Sequence, residues 1–356
     1  MTKKRVVNKK VSYKKEPFFK RKGFLWSVGS VLTVVVLLLI AFKVSPWPGA
    51  LVIRAVFDTD SAKSKSALAK HEPSVPITAL VDQPYDMTSG MKADVYFPTE
   101  AANSKKELPV IIWTHGGAWI SGSKNDRAPY FKLLAAEGFT VIAPDYTLAP
   151  EKTYPAQLQE LNNLYAYIKE NHQRFYANTN SIFLAGDSAG SQLSSQMAAI
   201  VTDSHYANEV GIKPNLTPDE LDGVILFCGI YKMHGLTQPS PELPKLIGWG
   251  DDIAVWSYAG TKDFSSPVIA QMSPYYHVTN KYPATFISGG NDDPLTADQS
   301  KPFADKLQDL GVSVTRHFFE DDHQPKLPHE YQFNLDNDDG QKALTEAVTF
   351  ARTHAK

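Results

Sequence analysis

Five residues, Gly186-Asp187-Ser188-Ala189-Gly190, constrain what this chain can fold into more than any other stretch. The apolar run Ile182-Phe183-Leu184-Ala185 leads into them. Helix-compatible residues follow, from Ser191-Gln192-Leu193 to Met197-Ala198-Ala199-Ile200. The pattern is strand, sharp turn, helix. Glycines at both ends of the turn let the backbone bend without a Cβ clash and let the helix pack close to the strand. The turn lifts the Ser188 hydroxyl to its tip, at the start of the helix, where amide groups and the macrodipole favour negative charge. This is the geometry of a nucleophile elbow. The five-residue pattern alone recurs by chance; the strand before it and the helix after it make the signal specific.

Short apolar runs alternate with helical stretches on both sides of the elbow. Val110-Ile111-Ile112-Trp113 and Thr140-Val141-Ile142-Ala143 read as strands covered on both faces, as inside a parallel sheet. Alternation in Lys92-Ala93-Asp94-Val95-Tyr96-Phe97 places early strands within 75–97, and the polar stretch 99–107 reads as a surface loop. Further strands are expected at 223–227, 284–288 and 312–320. Helices are expected at 129–137, 157–170, 297–310 and 340–354. Residues 231–276 are irregular, rich in proline and aromatic residues, and too long for a plain connection. They read as a cap, an insertion over 232–276. Strands alternating with helices imply an α/β fold, a mostly parallel eight-stranded sheet with helices on both faces.

The elbow sets the rest of the chemistry. A serine hydroxyl is a poor nucleophile until a positioned base takes its proton. The order expected with such an elbow is serine, acid, histidine. Asp292 and Asp293 both follow the strand Phe286-Ile287-Ser288 and the turn Gly289-Gly290-Asn291, and Asp293 is the preferred acid. Four histidines come later. His317 lies within the last strand and reads as structural, and His354 is at the C-terminal end. His323 and His329 both sit on the loop after that strand. His329 is preferred because Leu327, Pro328, Tyr331 and Phe333 can bury its loop and fix the ring. The oxyanion hole needs backbone amides, expected from Gly116, Gly117 and Ala189. His115 reads as a residue that orders the loop around it.

Cys228 is the one cysteine, so no intrachain disulfide and no multi-cysteine metal site is possible. Within Val224-Ile225-Leu226-Phe227-Cys228 it reads as core filler. The net charge of −2 hides an asymmetry: residues 1–22 hold ten of the 36 basic residues and one of the 38 acidic ones. The remaining 26 basic and 37 acidic residues leave an acidic body, which argues against a nucleic-acid partner.

Residues 24–42 contain no charged residue and include Val34-Val35-Val36-Leu37-Leu38-Leu39-Ile40. As a helix this run spans roughly 28 Å, near the thickness of a bilayer's hydrocarbon core. Basic residues crowd the side before it, so the positive-inside rule puts the N-terminus in the cytoplasm and the body outside. The run is long for a cleaved signal peptide and no clean A-x-A site follows, so an uncleaved signal anchor is preferred. The expected organisation is a basic cytoplasmic tail over 1–22, a transmembrane anchor over 23–43, a stalk or cap-like helical segment over 44–74, and a catalytic domain over 75–356. The expected location is the cell membrane, single-pass, with the catalytic domain extracellular.

His115-Gly116-Gly117 with Trp119, then Asp145-Tyr146-x-Leu148-Ala149-Pro150-Glu151, then Gly186-Asp187-Ser188-Ala189-Gly190 occur in that order. Together they resemble the hormone-sensitive-lipase-like branch of the α/β-hydrolase superfamily, mostly carboxylesterases and lipases. Asp293-Pro294-Leu295 is similar to that family's acid motif. The resemblance covers roughly residues 108–356. It implies a cofactor-free ester hydrolase with Ser188, Asp293 and His329 as triad and Gly116, Gly117 and Ala189 as oxyanion hole. The substrate expected is a small-molecule or cell-surface ester, cleaved through an acyl-enzyme. A peptidase or acyltransferase on the same fold, and a non-catalytic binding protein, are the competing readings. The family often has a third glycine where Ala118 stands, and its histidine is usually followed by Gly-Phe rather than by Glu330-Tyr331.

Overall fold

The computed structural model describes residues 22–236 and 245–356. The chain divides after Pro48 into two units. In the first, helix α1 spans Lys22–Val44. Its stretch Phe24–Val44 is the one helix among the described residues long and apolar enough to cross a membrane. Its side chains are unburied: Leu32, Val36 and Leu39 are each more than half exposed. The basic tail expected over 1–22 lies, apart from Lys22, outside the described residues.

The second unit is built on one eight-stranded sheet. Its strands are β1 (Ile77–Asp86), β2 (Met91–Pro98), β3 (Leu108–Thr114), β4 (Thr140–Pro144), β5 (Ala177–Asp187), β6 (Leu221–Phe227), β7 (Thr285–Ser288) and β8 (Val314–His317), in the order β1-β2-β4-β3-β5-β6-β7-β8. β1 and β2 form an antiparallel hairpin and β2 lies antiparallel on β4; the other pairs are parallel. This is the mostly parallel eight-stranded sheet expected from the alternation of strand and helix.

The helices are α2 (Trp47–Leu68), α3 (Thr99–Ser104), α4 (Ala128–Ala136), α5 (Ala156–Glu170), α6 (His172–Phe175), α7 (Ala189–Thr202), α8 (Ser204–Val210), α9 (Met233–Leu236), α10 (Lys245–Ala259), α11 (Pro267–Gln271), α12 (Lys301–Asp309) and α13 (Asp338–His354). They cover both faces of the sheet because successive strand side chains point to opposite sides. In β3, Val110 and Ile112 join a core with Leu158 and Leu161 of α5 and Leu193 and Met197 of α7. Ile111 and Trp113 join a second core with Phe131 and Leu134 of α4 and Ala347 and Phe350 of α13. Truncating such a fully buried leucine to alanine costs about 2–5 kcal/mol.

Three expectations are corrected. Residues 99–107 are not all loop, since α3 occupies six of them. The last strand is four residues, not nine. It lies at the sheet edge, where Thr315 and Arg316 are exposed and little burial extends the pairing. The stretch 232–276, expected to be irregular, carries the helices α9, α10 and α11; residues 237–244 lie outside the described part. Its helices escape a search for amphipathic spacing because α10 buries apolar residues on several faces, among them Ile253, Val255 and Tyr258.

Within the second unit, α2 from Gly49 onward packs on the sheet domain. Arg54 donates through Nε to the Ile120 carbonyl at 2.6 Å and pairs with Glu151 at 2.8 Å. The Ser121 hydroxyl donates to Asp58 at 2.8 Å. Gly49 lies so close to Ile253 of α10 that an added Cβ would come within 2.9 Å of it.

Candidate active site

The turn between β5 and α7 carries Ser188 at φ 50°, ψ −117°, a backbone conformation that a non-glycine residue adopts only under constraint. The constraint is visible. The Ser188 amide donates to the Phe227 carbonyl at 2.9 Å. The Ser191 hydroxyl donates to Gly186 at 2.6 Å and Phe227 at 2.9 Å. An added Cβ at Gly190 would lie 2.0 Å from the Thr114 carbonyl oxygen, and one at Gly186 would meet Gly190 at 2.5 Å. Both glycines are there because α7 starts against the end of β3.

His329 and Asp293 come from loops beyond β8 and β7. The His329 Nδ1 lies 2.9 Å from Asp293 Oδ2. Asp293 is buried and His329 is 37 % exposed at the side chain. Ser188, Asp293 and His329 line one cavity of about 580 Å³. The rival pair is placed elsewhere: His323 pairs through Nε2 with Asp339 at 2.9 Å, and Asp292 is exposed. His317 is bonded through Nδ1 to Glu346 at 2.7 Å.

The loop after β3 turns sharply, with positive φ at Gly117 (102°), Ala118 (51°) and Trp119 (61°). His115 stacks on Tyr146 at 4.2 Å and its Nδ1 meets the Gly116 carbonyl at 2.8 Å. Burial lowers its basicity, so the ring stays neutral and donates that bond. Trp119 bonds Gln192 of α7 at 2.9 Å and stacks on Tyr258 of α10 at 5.0 Å. The Gly116 amide, expected to face the oxyanion, donates instead to Asp187 Oδ2 at 3.0 Å. Among the described residues no protein acceptor takes the amides of Gly117, Ala118 or Ala189. The amide expected at Gly116 therefore has another partner, while those expected at Gly117 and Ala189, like that of Ala118, have none.

A family model described as BD-FAE matches residues 93–307. The chain belongs to the BD-FAE family. It falls in the hormone-sensitive-lipase-like branch of the α/β-hydrolase superfamily. It is 28 % identical to an esterase of Gibberella moniliformis over 260 residues, covering 70 % of this chain and 76 % of the relative. It is 28 % identical to Esterase LipC of Mycobacterium tuberculosis over 210 residues, covering 58 % of this chain and half of that protein. Esterase B from Lactobacillus rhamnosis, solved with a C6-C4 SN3 inhibitor, shares the fold with a TM-score of 0.71 at 19 % identity, over 85 % of this chain and 96 % of that one. An esterase from Pyrobaculum calidifontis shares it with a TM-score of 0.67 at 19 % identity, over 86 % and 94 %.

In this BD-FAE member the electrostatics around His329 are layered. Burial works against a charged ring, but the Asp293 carboxylate bonded to Nδ1, with Cys228 alongside, offsets that and raises its basicity above an ordinary imidazole. Burial pushes the Cys228 thiol up to about 11, so it is uncharged at neutral pH and the Asp293 carboxylate is what favours the imidazolium. Cys228, Asp293 and His329 bring a sulfur, an oxygen and a nitrogen within 4.8 Å of one another, a set that could hold a soft metal ion.

A second cluster was invisible in the sequence. Trp113 Nε1 donates to Asp187 Oδ1 at 2.7 Å, while Arg127 Nη2 donates to Glu330. Burial and the nearby Glu330 push Asp187 up to about 7. Partial burial works against the Glu330 carboxylate too, but Arg127 outweighs that and holds its pKa low. The signal that could have found this cluster is Glu330 itself, a charge directly after His329, the position where the resembled family usually has glycine. Asp251 of α10 was also missed. It lines the cavity, and burial with Asp252 alongside pushes its carboxyl up to about 6.

Proposed function

We propose that this chain is a serine hydrolase that cleaves carboxylic esters, held in the cell membrane by its N-terminal helix with the catalytic domain outside. The observation that carries the chemistry is Ser188 on a strained turn, sharing one cavity with the bonded His329–Asp293 pair. Relatives named esterases and the BD-FAE match support the same class.

In this reading Ser188 Oγ attacks the ester carbonyl while His329 Nε2 takes its proton and Asp293 holds Nδ1–H. Charge developing on the carbonyl oxygen meets the amides of Ala189, Gly117 and Ala118. Each donor of this kind contributes on the order of 3 kcal/mol to the transition state. The tetrahedral species collapses, the C–O bond to the alcohol breaks, and His329 returns the proton to the departing alkoxide. Water, deprotonated by His329, then attacks the acyl-Ser188 ester; the acid leaves and Ser188 regains its proton.

The anchor rests on the apolar stretch Phe24–Val44 and the ten basic residues before it. The domain reading is a tail over 1–22, an anchor over 23–43, a cap-like segment over 44–74 and a catalytic domain over 75–356. The detergent-solubilised full chain should release p-nitrophenol from the acetate and butyrate esters. Absence of turnover on any ester, with amide cleavage or acyl transfer in its place, would replace the ester reading.

A further inference from the structure

Beyond the triad and the Asp187–Glu330 cluster, the cavity wall carries four carboxylates: Asp60, Asp126, Asp251 and Asp298. The guanidinium in that wall, Arg127, is bound to Glu330. Asp60 is on the exposed rim and pairs with Lys63 at 2.9 Å; Asp126 accepts bonds from the Ser123 amide and hydroxyl at 3.0 and 2.8 Å. Asp298 is exposed.

Asp251 differs from all three. It is half-buried, faces the cavity from α10, and no basic side chain among the described residues pairs with it. It lines the same cavity as Ser188, Asp293 and His329, which places it on the wall facing the proposed reacting centre. A carboxylate partly sheltered from water and held in no salt bridge gains most from a cation that the ligand brings. Phe57, Trp119, Ile230 and Leu236 give the wall its apolar part, and the volume of about 580 Å³ suits a small molecule.

We propose that Asp251 is a specificity-determining residue that receives an ammonium group, so that the preferred substrates are carboxylic esters bearing a positive charge near the scissile carbonyl. This rests on the ester-hydrolase reading of the same cavity. Neutral esters of equal shape enter the same apolar wall without that pairing, and anionic esters meet like charge.

The test uses a pair of esters matched in shape: acetylcholine, and 3,3-dimethylbutyl acetate, in which a tert-butyl group replaces trimethylammonium. kcat/KM is measured for both with the full chain in detergent. The ratio of the two cancels any general loss of activity or folding. In the wild-type chain the cation should be preferred by about tenfold or more, the scale of one charge-assisted contact. Asp251→Asn should collapse the ratio, and Asp251→Glu should keep most of it. A wild-type ratio near one, or a ratio unchanged in Asp251→Asn, overturns the assignment while ester hydrolysis stands. Equal loss on both esters in Asp251→Asn also overturns it, by making the residue a support for His329. Failure to cleave any ester, p-nitrophenyl acetate included, takes down the underlying hydrolase reading as well.

Discussion

Replacing Arg127 by methionine isolates the buried charge cluster behind the oxyanion loop. Its guanidinium is 7 % exposed at the side chain, is bonded to Glu330, and lies 4.3 Å from the centre of the Phe333 ring. Nη1 is buried without a partner among the described residues, so the guanidinium is itself incompletely compensated. Removing it leaves Glu330 and Asp187 together with no cation bonded to either. Breaking a buried pair from one side costs about 3–5 kcal/mol. Glu330 is about a quarter exposed to the cavity, which moves the expectation to the lower end. Loss of the cation over Phe333 adds about 0.5–1 kcal/mol, and methionine returns part of that by packing.

Arg127→Met should therefore lower the unfolding free energy by about 3 kcal/mol in urea titration of the detergent-solubilised chain. Adding Glu330→Gln removes the stranded charge, so the double variant should recover at least about 1 kcal/mol relative to the sum of the single losses. The damage should also reach turnover, because Asp187 holds the Gly116 amide and precedes Ser188, while Glu330 follows His329. A single variant within about 1 kcal/mol of wild type, or strictly additive losses, would refute the cluster as described.

The pH dependence has two parts. His329 must be neutral to accept the Ser188 proton, so kcat/KM should fall as pH drops, with a midpoint above the ordinary imidazole value of 6.5; a midpoint below it would contradict the raised basicity. Folded Asp187 keeps its proton to about 7, whereas the unfolded side chain releases it near 3.8, so this group's stabilising contribution is full below 3.8 and is lost as pH rises through 7. Wild type minus Asp187→Asn in unfolding free energy should show that slope, and a flat difference would deny the shift. His329→Ala should cut ester hydrolysis by roughly 10⁴-fold or more, while His323→Ala, paired with Asp339 away from the cavity, keeps most activity; the reverse pattern would exchange their roles. Protease added to intact cells should digest residues 49–356, and full protection would reverse the proposed orientation.

Most of the sheet was legible because its central strands are continuous apolar runs between glycine-rich turns. Val110-Ile111-Ile112-Trp113 and Ile182-Phe183-Leu184-Ala185 are buried on both faces and carry little else that could mislead. The elbow was legible because Gly186 and Gly190 answer a local steric demand. What could not be read depends on groups far apart in sequence. Gly116 meets Asp187 across 71 residues, and Arg127 meets Glu330 across 203. No local pattern announces that a loop amide will turn toward a carboxylate rather than toward a substrate oxygen. The helical insertion was hidden for another reason: α11 begins at Pro267, and α10 is apolar on several sides, so prolines and aromatics masked the period.

The central claim is that Ser188 forms the acyl-enzyme. A fluorophosphonate reacts covalently with an activated serine, and peptide mass spectrometry locates the adduct. The account predicts a single adduct on the peptide containing Ser188, absent in Ser188→Ala, with ester turnover in that variant down by roughly 10⁴-fold or more. Labelling at another serine, or undiminished turnover in Ser188→Ala, would contradict it.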